Sequence, residues 1–543
     1  MKMPLDHGKS TWQIMAGLSV ALFIVSVSAL RLQGQTAAPR VQIDAGTLQG
    51  LWTPNAPHVA AFLGIPYAAQ PIGNLRWKAP QPPSTWTGVK EAIQFGPACP
   101  QTPSPWLPQM LGIQKMATDE ACLYINVWTP NLHGAAKLPV MVWVHGGGNV
   151  EGAANWPPLG STLAGEGVVV VSLNYRLGVF GFFAYPALAA ESPHHVSGNY
   201  GHLDQVEALR WVKRNIGRFG GDPNRVTIFG ASSGALDICN LMASPIAAGY
   251  FQRAIMQSGV CVDSVYPMMR QAEGNGELLA KDVGIKTGPG SLAALRALPA
   301  EKLLLTAAKD DRIDLEPVVD GWFFPQQPAT AFADGKQVKI PVIVGSNNDE
   351  VSIFASPIVG GKSNGPKTVA AYRQGLRREF GPMAEKVFAR YPAHSDKEVP
   401  GVFRTMDTDF DFGFGARLLA IEMARIHHPA YLYHFTYVGA GEFASLGAFH
   451  SEESMFLSKK YWSTWIHRPY DETLSNAIIG YWVQFAKTGN PNTSSLPTWP
   501  AYQPSTDLCQ ELGQRIGAER VPRAEQFQVF QEFLNSRLAK SPQ

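Results

Sequence analysis

Hydrophobic residues along this 543-residue chain form short apolar runs that alternate with stretches of helical spacing. The runs at 138–145, 168–174 and 226–229 are almost entirely apolar, which is typical of strands buried on both faces of a sheet. Between the second and the third run, residues 204–219 place apolar side chains three and four positions apart, as an amphipathic helix does. This alternation predicts an α/β fold, with a mostly parallel central sheet and helices on both faces.

Weaker patterns extend this sheet toward both ends of the chain. Residues 262–335 and 367–426 have helical spacing, and we interpret them as insertions that cap the sheet because no linker separates them from it. The Pro-rich segment 66–83 is expected to be irregular and to lie on the surface. Further predicted strands lie at 41–64 (two strands and a turn), 122–129, 251–259, 339–345 and 430–435, and a late helix at 476–487.

The composition favours one large globular domain. Hydrophobic residues make up 45% of the chain and charged residues 16%, and we find neither a low-complexity tract nor a fixed repeat. A net charge of +2 gives no electrostatic footprint for nucleic acid or for an anionic membrane. We therefore predict a single domain at 36–543 whose partner is a small, largely uncharged molecule, and we favour a monomer.

The N-terminal residues 1–35 have the pattern of an export signal. Lys2 and Lys9 precede the apolar run 14–30, and small residues at 27–29 offer a cleavage site. The run is short for a spanning helix, which needs about 20 residues, although an uncleaved anchor is the alternative. We predict export to the periplasm or the medium, with no membrane attachment after cleavage.

The five cysteines leave an odd number of thiols. Cys99 and Cys122 flank a polar, Pro-rich loop, and in an oxidising compartment a bond between them would contribute about 3 kcal/mol. We expect Cys239 to be a buried, small apolar residue. For Cys261 and Cys509 the sequence leaves open a second disulfide or free thiols.

The strongest chemical signal is the segment that follows the run 226–229. Residues 230–234 (GASSG) fit the pattern G-x-S-x-G, and the apolar segment 235–243 continues as a helix. A strand, a sharp turn and a helix form the context in which this pattern marks a nucleophile elbow. Ser232 is therefore the candidate nucleophile.

A serine hydroxyl needs a histidine base, and that histidine needs a carboxylate to fix its tautomer. In an α/β hydrolase the acid and then the histidine follow the serine along the chain. The candidate acids are Asp349 and Glu350, directly after the predicted strand at 339–345, and their positions do not separate them. The candidate base is His450, downstream of the strand at 430–435.

Three consecutive glycines, 146–148, follow the central strand at 138–145. Such a run lets backbone N–H groups face a substrate oxygen, and it is typical of an oxyanion hole. A flexible loop is the alternative. This chemistry needs no metal and no organic cofactor.

From about residue 41 to its C-terminal region, the chain resembles the type-B carboxylesterases, the serine esterases of α/β-hydrolase fold that include the cholinesterases. The resemblance implies that Ser232 is the nucleophile, Glu350 the acid and His450 the base, which breaks the tie with Asp349. The blocks that carry it are 62–68 (FLGIPYA), 96–100 (GPACP), 120–127 (EACLYINV), 174–178 (NYRLG), 219–223 (FGGDP), 349–352 (DEVS) and 484–491 (QFAKTGNP).

The resemblance also implies oxyanion donors from the amides of Gly147, Gly148 and Ser233, and a disulfide between Cys99 and Cys122 that closes a loop at the pocket rim.

Several positions depart from the family pattern close to the chemistry. Ala231 stands where the family usually has Glu, and Ser233 where it usually has Ala. Asn149 replaces a residue that is commonly aromatic, and Ser451 replaces the usual Gly. The amide of Ser233 remains available, but the absence of a carboxylate at 231 is expected to weaken any preference for a cationic substrate.

These observations predict an exported serine carboxylesterase that hydrolyses uncharged or weakly charged esters through an acyl-enzyme intermediate. Two alternatives remain at this point. One is a serine hydrolase that acts on an amide or a lactone. The other is a non-catalytic binding protein of the same fold, because a fold does not fix a function.

Overall fold

An eleven-stranded sheet runs through the part of the chain that the computed structural model describes, residues 37–102, 116–310, 312–356, 365–462 and 464–540. The predicted export signal at 1–35 lies outside these residues. In chain order the strands are β1 (Arg40–Ile43), β2 (Gly46–Gln49), β3 (Leu51–Thr53), β4 (Ala56–Pro66), β5 (Val89–Glu91), β6 (Tyr124–Thr129), β7 (Leu138–Val144), β8 (Val169–Leu173), β9 (Gly221–Ala231), β10 (Arg253–Gln257), β11 (Val342–Asn347), β12 (Ala430–Phe435), β13 (Leu508–Leu512) and β14 (Ile516–Arg520).

The large sheet is mostly parallel, as the sequence predicts. Its order is β14-β13-β12-β11-β10-β9-β7-β8-β6-β4-β3, and every neighbouring pair from β8 to β13 is parallel. The outer strands at both ends pair antiparallel. Strands β1, β2 and β5 form a separate small sheet.

Helices connect the parallel strands and fill the insertions between them. Two groups of helices lie where the sequence predicts insertions, between β10 and β11 and between β11 and β12. In chain order the helices are α1 (Gly160–Ala164), α2 (Gly178–Gly181), α3 (Pro186–Glu191), α4 (Tyr200–Asn215), α5 (Ser233–Ala243), α6 (Met269–Asp282), α7 (Ser291–Arg296), α8 (Ala300–Ala307), α9 (Pro328–Ala333), α10 (Val369–Phe380), α11 (Ala384–Arg390), α12 (Val399–Thr408), α13 (Phe414–Arg425), α14 (Glu452–Ser458), α15 (Pro469–Thr488) and α16 (Gln528–Leu538).

Both faces of the sheet are buried, which explains why its central strands are apolar at every position. In β7, Val140 and Val142 pack into the core that contains helices α4, α5 and α13. Met141 and Trp143, which point the other way, pack into the core that contains α1, α14 and α15. The alternation of side chains along a strand thus divides one apolar run between two cores.

The parallel strands bring their carboxyl ends to one edge of the sheet, where α/β proteins bind their ligands. The loops that leave β7, β9, β10, β11 and β12 therefore share this edge. They carry the glycine run, Ser232, the turn at 258–261, Glu350 and His450, respectively.

Segment 66–83 is largely irregular and lies at the surface, as the sequence predicts, but two of its large side chains pack inward. Trp77 is 1% exposed and donates a hydrogen bond from Nε1 to the carbonyl of Val179. Arg76 is also buried, and its guanidinium donates to Glu120 and to the carbonyl of Leu298. A charged side chain can be buried here because its donors are matched, and the sequence of the segment alone does not reveal those partners.

The structure contains two disulfides. Cys99 is bonded to Cys122, and Cys239 to Cys261. Cys239 is completely buried, as expected, but it is disulfide-bonded and not simply a small apolar residue. The reason lies in the fold, because adjacent parallel strands bring α5 and the turn after β10 together. Cys509 is a buried free thiol, and burial raises its pKa.

These bonds predict one free thiol per chain when the denatured, unreduced protein is titrated, and five after reduction. The double variant Cys239→Ala/Cys261→Ala should lose about 3 kcal/mol of unfolding free energy in urea, as expected for a loop of this size. Three free thiols before reduction, or an unchanged unfolding free energy, would contradict the second disulfide.

Candidate active site

Ser232 lies on the sharp turn between strand β9 and helix α5. Its backbone angles, φ 58° and ψ −131°, are strained for a residue with a side chain. The turn is held from both sides. The amide of Ser232 donates to the carbonyl of Gln257 at 2.8 Å, and the carbonyl of Ser232 accepts from the amides of Ala235 and Leu236.

The two glycines of the elbow are required by close backbone contacts. A Cβ atom at Gly230 would lie 2.5 Å from the carbonyl oxygen of Val144, and one at Gly234 would lie 2.2 Å from the same atom. No side-chain adjustment relieves such an overlap, because the neighbour is backbone. The pattern G-x-S-x-G thus lets β7, β9 and α5 meet at one point.

Glu350 begins a short 3-10 turn, Glu350–Ser352, just after β11. Its carboxylate is completely buried, and both oxygens are engaged. Oε1 accepts from the amide of Asn347 at 2.7 Å, and Oε2 lies 2.6 Å from Nδ1 of His450. The amide of His450 also donates to the carbonyl of Glu350 at 3.2 Å.

Asp349, the other candidate acid, supports the loop that carries the histidine. Its carboxylate accepts from the amide of Ala448 at 3.2 Å and from the side-chain amide of Asn348 at 2.9 Å. The side-chain bond to His450 is made by Glu350, so the structure separates two acids that their positions in the sequence leave tied.

His450 is oriented by this contact. A neutral ring that donates from Nδ1 to Glu350 has its free electron pair on Nε2. Nε2 is buried and has no hydrogen-bond partner among the described residues. The rings of Phe354 and Phe412 lie 5.1 and 4.9 Å from the imidazole, centroid to centroid.

The glycine run leaves β7 and turns toward Ser232. Gly147 and Gly148 have φ values of 119° and 62°, which favour glycine. Their amides, and the amide of Ser233, find no acceptor among the described residues. Gly148 and Ser233 line the same pocket as Ser232.

Cys99 and Cys122 close a loop whose interior, 103–115, lies outside the described residues. One described residue of this loop, Gln101, binds the segment that follows the glycine run. The side-chain amide of Gln101 donates to the carbonyl of Gly152 at 2.9 Å, and its oxygen accepts from the amide of Gly152 at 3.0 Å.

A pocket of about 440 Å³ opens beside Ser232. Its walls combine aromatic and aliphatic side chains with three carboxyl groups and one guanidinium. The residues that line it are Gly148, Asn149, Ser232, Ser233, Leu236, Ser258, Gly259, Val260, Asp263, Ser264, Val265, Tyr266, Leu315, Glu316, Pro317, Phe410, Asp411, Phe412, Phe414, Phe530, Phe533, Leu534 and Arg537.

The carboxyl groups of the pocket titrate near neutral pH. Desolvation by the pocket walls raises the pKa of Asp263 to about 7 and that of Asp411 to about 8, although Asp411 keeps contact with solvent. Desolvation and the neighbouring Asp314 raise the pKa of Glu316, which is also exposed in part, to about 7. Arg537 opposes these shifts at Asp263 and Glu316. The negative charge of the pocket therefore grows as the pH rises through this range.

Sequence reasoning missed several parts of this pocket. Phe410, Asp411 and Phe412 lie on a turn of π-helix, Asp409–Gly413, that joins α12 to α13, and such turns are frequent at functional sites. Helix α16 supplies Phe530, Phe533 and Leu534. Their spacing in the sequence is that of an amphipathic helix and could have revealed α16.

Three further observations concern the setting of the site. No group of three or more His, Cys, Asp or Glu residues in the described ranges is arranged to hold a metal ion. None of the helices in those ranges is long and apolar enough to cross a membrane. Disulfides form and persist in oxidising compartments, so the two bonds indicate a non-cytosolic protein.

The strand order, the elbow after β9 and the buried acid–histidine pair are the arrangement of an α/β hydrolase. A model of the carboxylesterase family matches residues 37–530 of the chain. The chain belongs to this family, and it is a carboxylic ester hydrolase, as the sequence predicts.

Similar proteins include two bacterial esterases and a solved esterase structure. The chain is 36% identical over 522 residues to the fumonisin B1 esterase of Sphingopyxis macrogoltabida, a match that covers 91% of each chain. It is 36% identical over 504 residues to the para-nitrobenzyl esterase of Bacillus subtilis, which covers 90% of this chain and 97% of that protein. A solved structure of a PNB esterase matches with a TM-score of 0.76 at 33% identity, over 91% of this chain and 100% of the other.

Proposed function

We propose that Ser232, His450 and Glu350 form a catalytic triad that hydrolyses uncharged or weakly charged carboxylic esters through an acyl-enzyme. The observation that carries this proposal is the 2.6 Å contact between Nδ1 of His450 and the buried carboxylate of Glu350. This pair lies at the same edge of the sheet as a serine held in a strained elbow.

In the first step, Oγ of Ser232 attacks the ester carbonyl carbon while Nε2 of His450 takes the serine proton. Glu350 stabilises the imidazolium that forms and keeps it oriented. The carbonyl oxygen becomes an oxyanion. The amides of Gly147, Gly148 and Ser233 bind it, and the fact that they have no acceptor in the described part of the chain supports this role.

In the second step, the tetrahedral intermediate collapses and the alcohol leaves with the proton from Nε2. A water molecule then gives its proton to Nε2 and attacks the acyl-enzyme. The same three groups act again, and the carboxylic acid is released as Ser232 recovers its proton.

The triad predicts the outcome of a small panel of variants tested on p-nitrophenyl butyrate. Ser232→Ala should lose at least about 1,000-fold in kcat, because the nucleophile is gone. Glu350→Gln should lose about 1,000- to 10,000-fold, because the neutral amide neither fixes the productive tautomer nor stabilises the imidazolium. Initial rates and labelling by a fluorophosphonate probe measure both effects.

Asp349→Asn is the matched control, because an asparagine oxygen can still accept from the amide of Ala448. It should retain activity within about 10-fold of the wild type, since it lacks the bond to His450. A loss that is larger in Asp349→Asn than in Glu350→Gln would contradict the assignment of the acid. Full activity of Ser232→Ala would contradict the assignment of Ser232 as the nucleophile.

The pocket supports the preference for uncharged esters. Asp263, Glu316 and Asp411 face the space beside Ser232, and Arg537 is the one basic side chain among its described lining residues. Ionised carboxylates repel an anionic acyl or alcohol group in a partly enclosed space. A neutral ester meets no such barrier.

This repulsion predicts a pH-dependent discrimination between p-nitrophenyl butyrate and p-nitrophenyl hemisuccinate. Between pH 6 and 9 the pocket carboxyls lose their protons, so the ratio of kcat/KM for the neutral over the anionic ester should rise about 10-fold. The ratio cancels the titration of groups that act on both substrates. The uncatalysed rate is subtracted at each pH.

Asp263→Asn should flatten this rise. Asp222→Asn should keep it, because Asp222 lies at the start of β9, away from the pocket, and does not act on the pKa of the pocket carboxyls. A ratio that is constant from pH 6 to 9 in the wild type would show that the substrate does not meet these carboxyls.

We also propose that residues 1–35 form a cleaved export signal and that 36–543 is one catalytic domain that reaches the periplasm or the medium. The basic and apolar pattern of residues 1–35 and the two disulfides support this. The intact mass of exported, unreduced protein should lack about 29 to 35 N-terminal residues and four hydrogens. Recovery of the full-length mass in the membrane fraction would favour an anchor instead.

A further inference from the structure

Asn149 follows the glycine run and ties it to the helix behind the nucleophile. Its amide donates to Oγ of Ser233 at 3.1 Å, and its side-chain Nδ2 donates to Oδ1 of Asp237 at 2.9 Å. Asn149 is 7% exposed and has a φ of 59°, a conformation that asparagine adopts more readily than most residues. The residue is thus held through both its backbone and its side chain.

Asp237 is a rigid anchor for this contact. Its carboxylate is completely buried on α5, and it also binds two side chains of α4. Nε2 of His202 lies 3.0 Å from Oδ1, and Nε2 of Gln205 donates to Oδ2 at 2.6 Å. Because a buried carboxylate is stable only when donors surround it, Asp237 has little freedom to move away from Asn149.

Tyr175 holds the other end of the same loop. Its hydroxyl donates to the carbonyl of His145 at 2.7 Å and also lies 3.2 Å from Oδ1 of Asn149. The rings of Tyr175 and His145 stack at 4.4 Å. Burial lowers the pKa of His145 to about 4, so this ring stays neutral at physiological pH. The amides of Gly147 and Gly148 therefore lie between two fixed ends.

We propose that the side chains of Asn149, Ser233 and Asp237 are positioning residues for the oxyanion hole. Ser233 has two roles here: its amide faces the oxyanion, and its hydroxyl accepts from Asn149. Asn149 and Ser233 are two of the positions at which the chain departs from the pattern of the family that it resembles. In this chain the two residues are joined by a hydrogen bond of 3.1 Å from the amide of Asn149 to Oγ of Ser233.

This inference rests on the proposed function, because it assumes that Gly147 and Gly148 bind the oxyanion. Donors of an oxyanion hole act at 2.7 to 3.1 Å from a charge that develops only in the transition state. Loosening the loop should therefore lower kcat and leave the binding of the ground-state ester nearly unchanged.

Asn149→Ala removes the bonds to Asp237 and Tyr175, and we expect kcat to fall about 10- to 100-fold with KM changed less than about 3-fold. Ser233→Ala keeps the amide and removes only the hydroxyl, so we expect a smaller loss, about 3- to 10-fold. Asp237→Asn keeps an oxygen that can accept from Asn149, and its kcat should fall between those of the wild type and Asp237→Ala.

A second readout reports on the oxyanion directly. When Ser232 adds to an alkyl trifluoromethyl ketone, the Oγ–C bond forms, the serine proton passes to His450 and the carbonyl oxygen becomes an oxyanion, with no leaving group. The inhibition constant of this ketone should rise in each variant in parallel with the loss of kcat. The inhibition constant of the matching methyl ketone, which adds far less readily, should change little.

Asn215→Ala is the control for a merely structural effect. Asn215 is buried at the C-terminal end of α4 and binds the backbone of Asp44 and Trp211, and within the described part of the chain its side chain has no bond to Asp237, to its partners or to the pocket. We expect it to lower the melting temperature and to leave kcat and the affinity for the trifluoromethyl ketone within about 2-fold of the wild type.

The outcomes separate this inference from the proposed function. If the wild type is active and labelled by a fluorophosphonate, but Asn149→Ala and Ser233→Ala retain kcat and ketone affinity, the positioning role is wrong and the triad stands. If the variants lose affinity for both ketones alike, or if Asn215→Ala loses as much kcat, the effect is structural and the inference also fails. If the wild type is neither active nor labelled, the proposed function fails first.

Discussion

The site depends on the close approach of backbone segments around Ser232. The strained conformation of this residue persists because its neighbours leave no alternative. A Cβ atom at Gly259 would lie 2.3 Å from the carbonyl oxygen of Ser232, and one at Gly234 would lie 2.2 Å from that of Val144. Strands β7, β9 and β10 therefore converge on one residue, and the loops that follow them start from fixed positions.

Local patterns in the sequence were sufficient to predict those parts of the site whose geometry is set by neighbouring residues. The glycines of the elbow and the glycine run after β7 follow from constraints within a few residues, and the fold that they indicate gives the order of serine, acid and histidine along the chain. The choice between Asp349 and Glu350 does not follow from such constraints. This choice depends on how the 3-10 turn after β11 faces a loop about 100 residues later in the chain. From the sequence, Glu350 could therefore be chosen only through the resemblance to a family.

The pocket could not be predicted to the same degree, because its walls come from distant parts of the chain. Asp263, Glu316 and Asp411 look like ordinary surface acids in the sequence, and they meet only after the insertions pack together. The buried state of Arg76 depends in the same way on Glu120 and on α7 and its C-terminal flank. Helix α16 is different, since its apolar spacing was present in the sequence and was overlooked.

The disulfide between Cys239 and Cys261 links α5 to the turn that forms one wall of the pocket. This wall and the elbow are thereby fastened together, whereas α16 and the turn between α12 and α13 reach the pocket without any cross-link. The turn between α12 and α13 also packs Phe412 against the ring of His450, so a change there reaches the catalytic base. Helix α16 is the wall at which a substitution can reshape the pocket while the disulfide keeps the elbow and the opposite wall together.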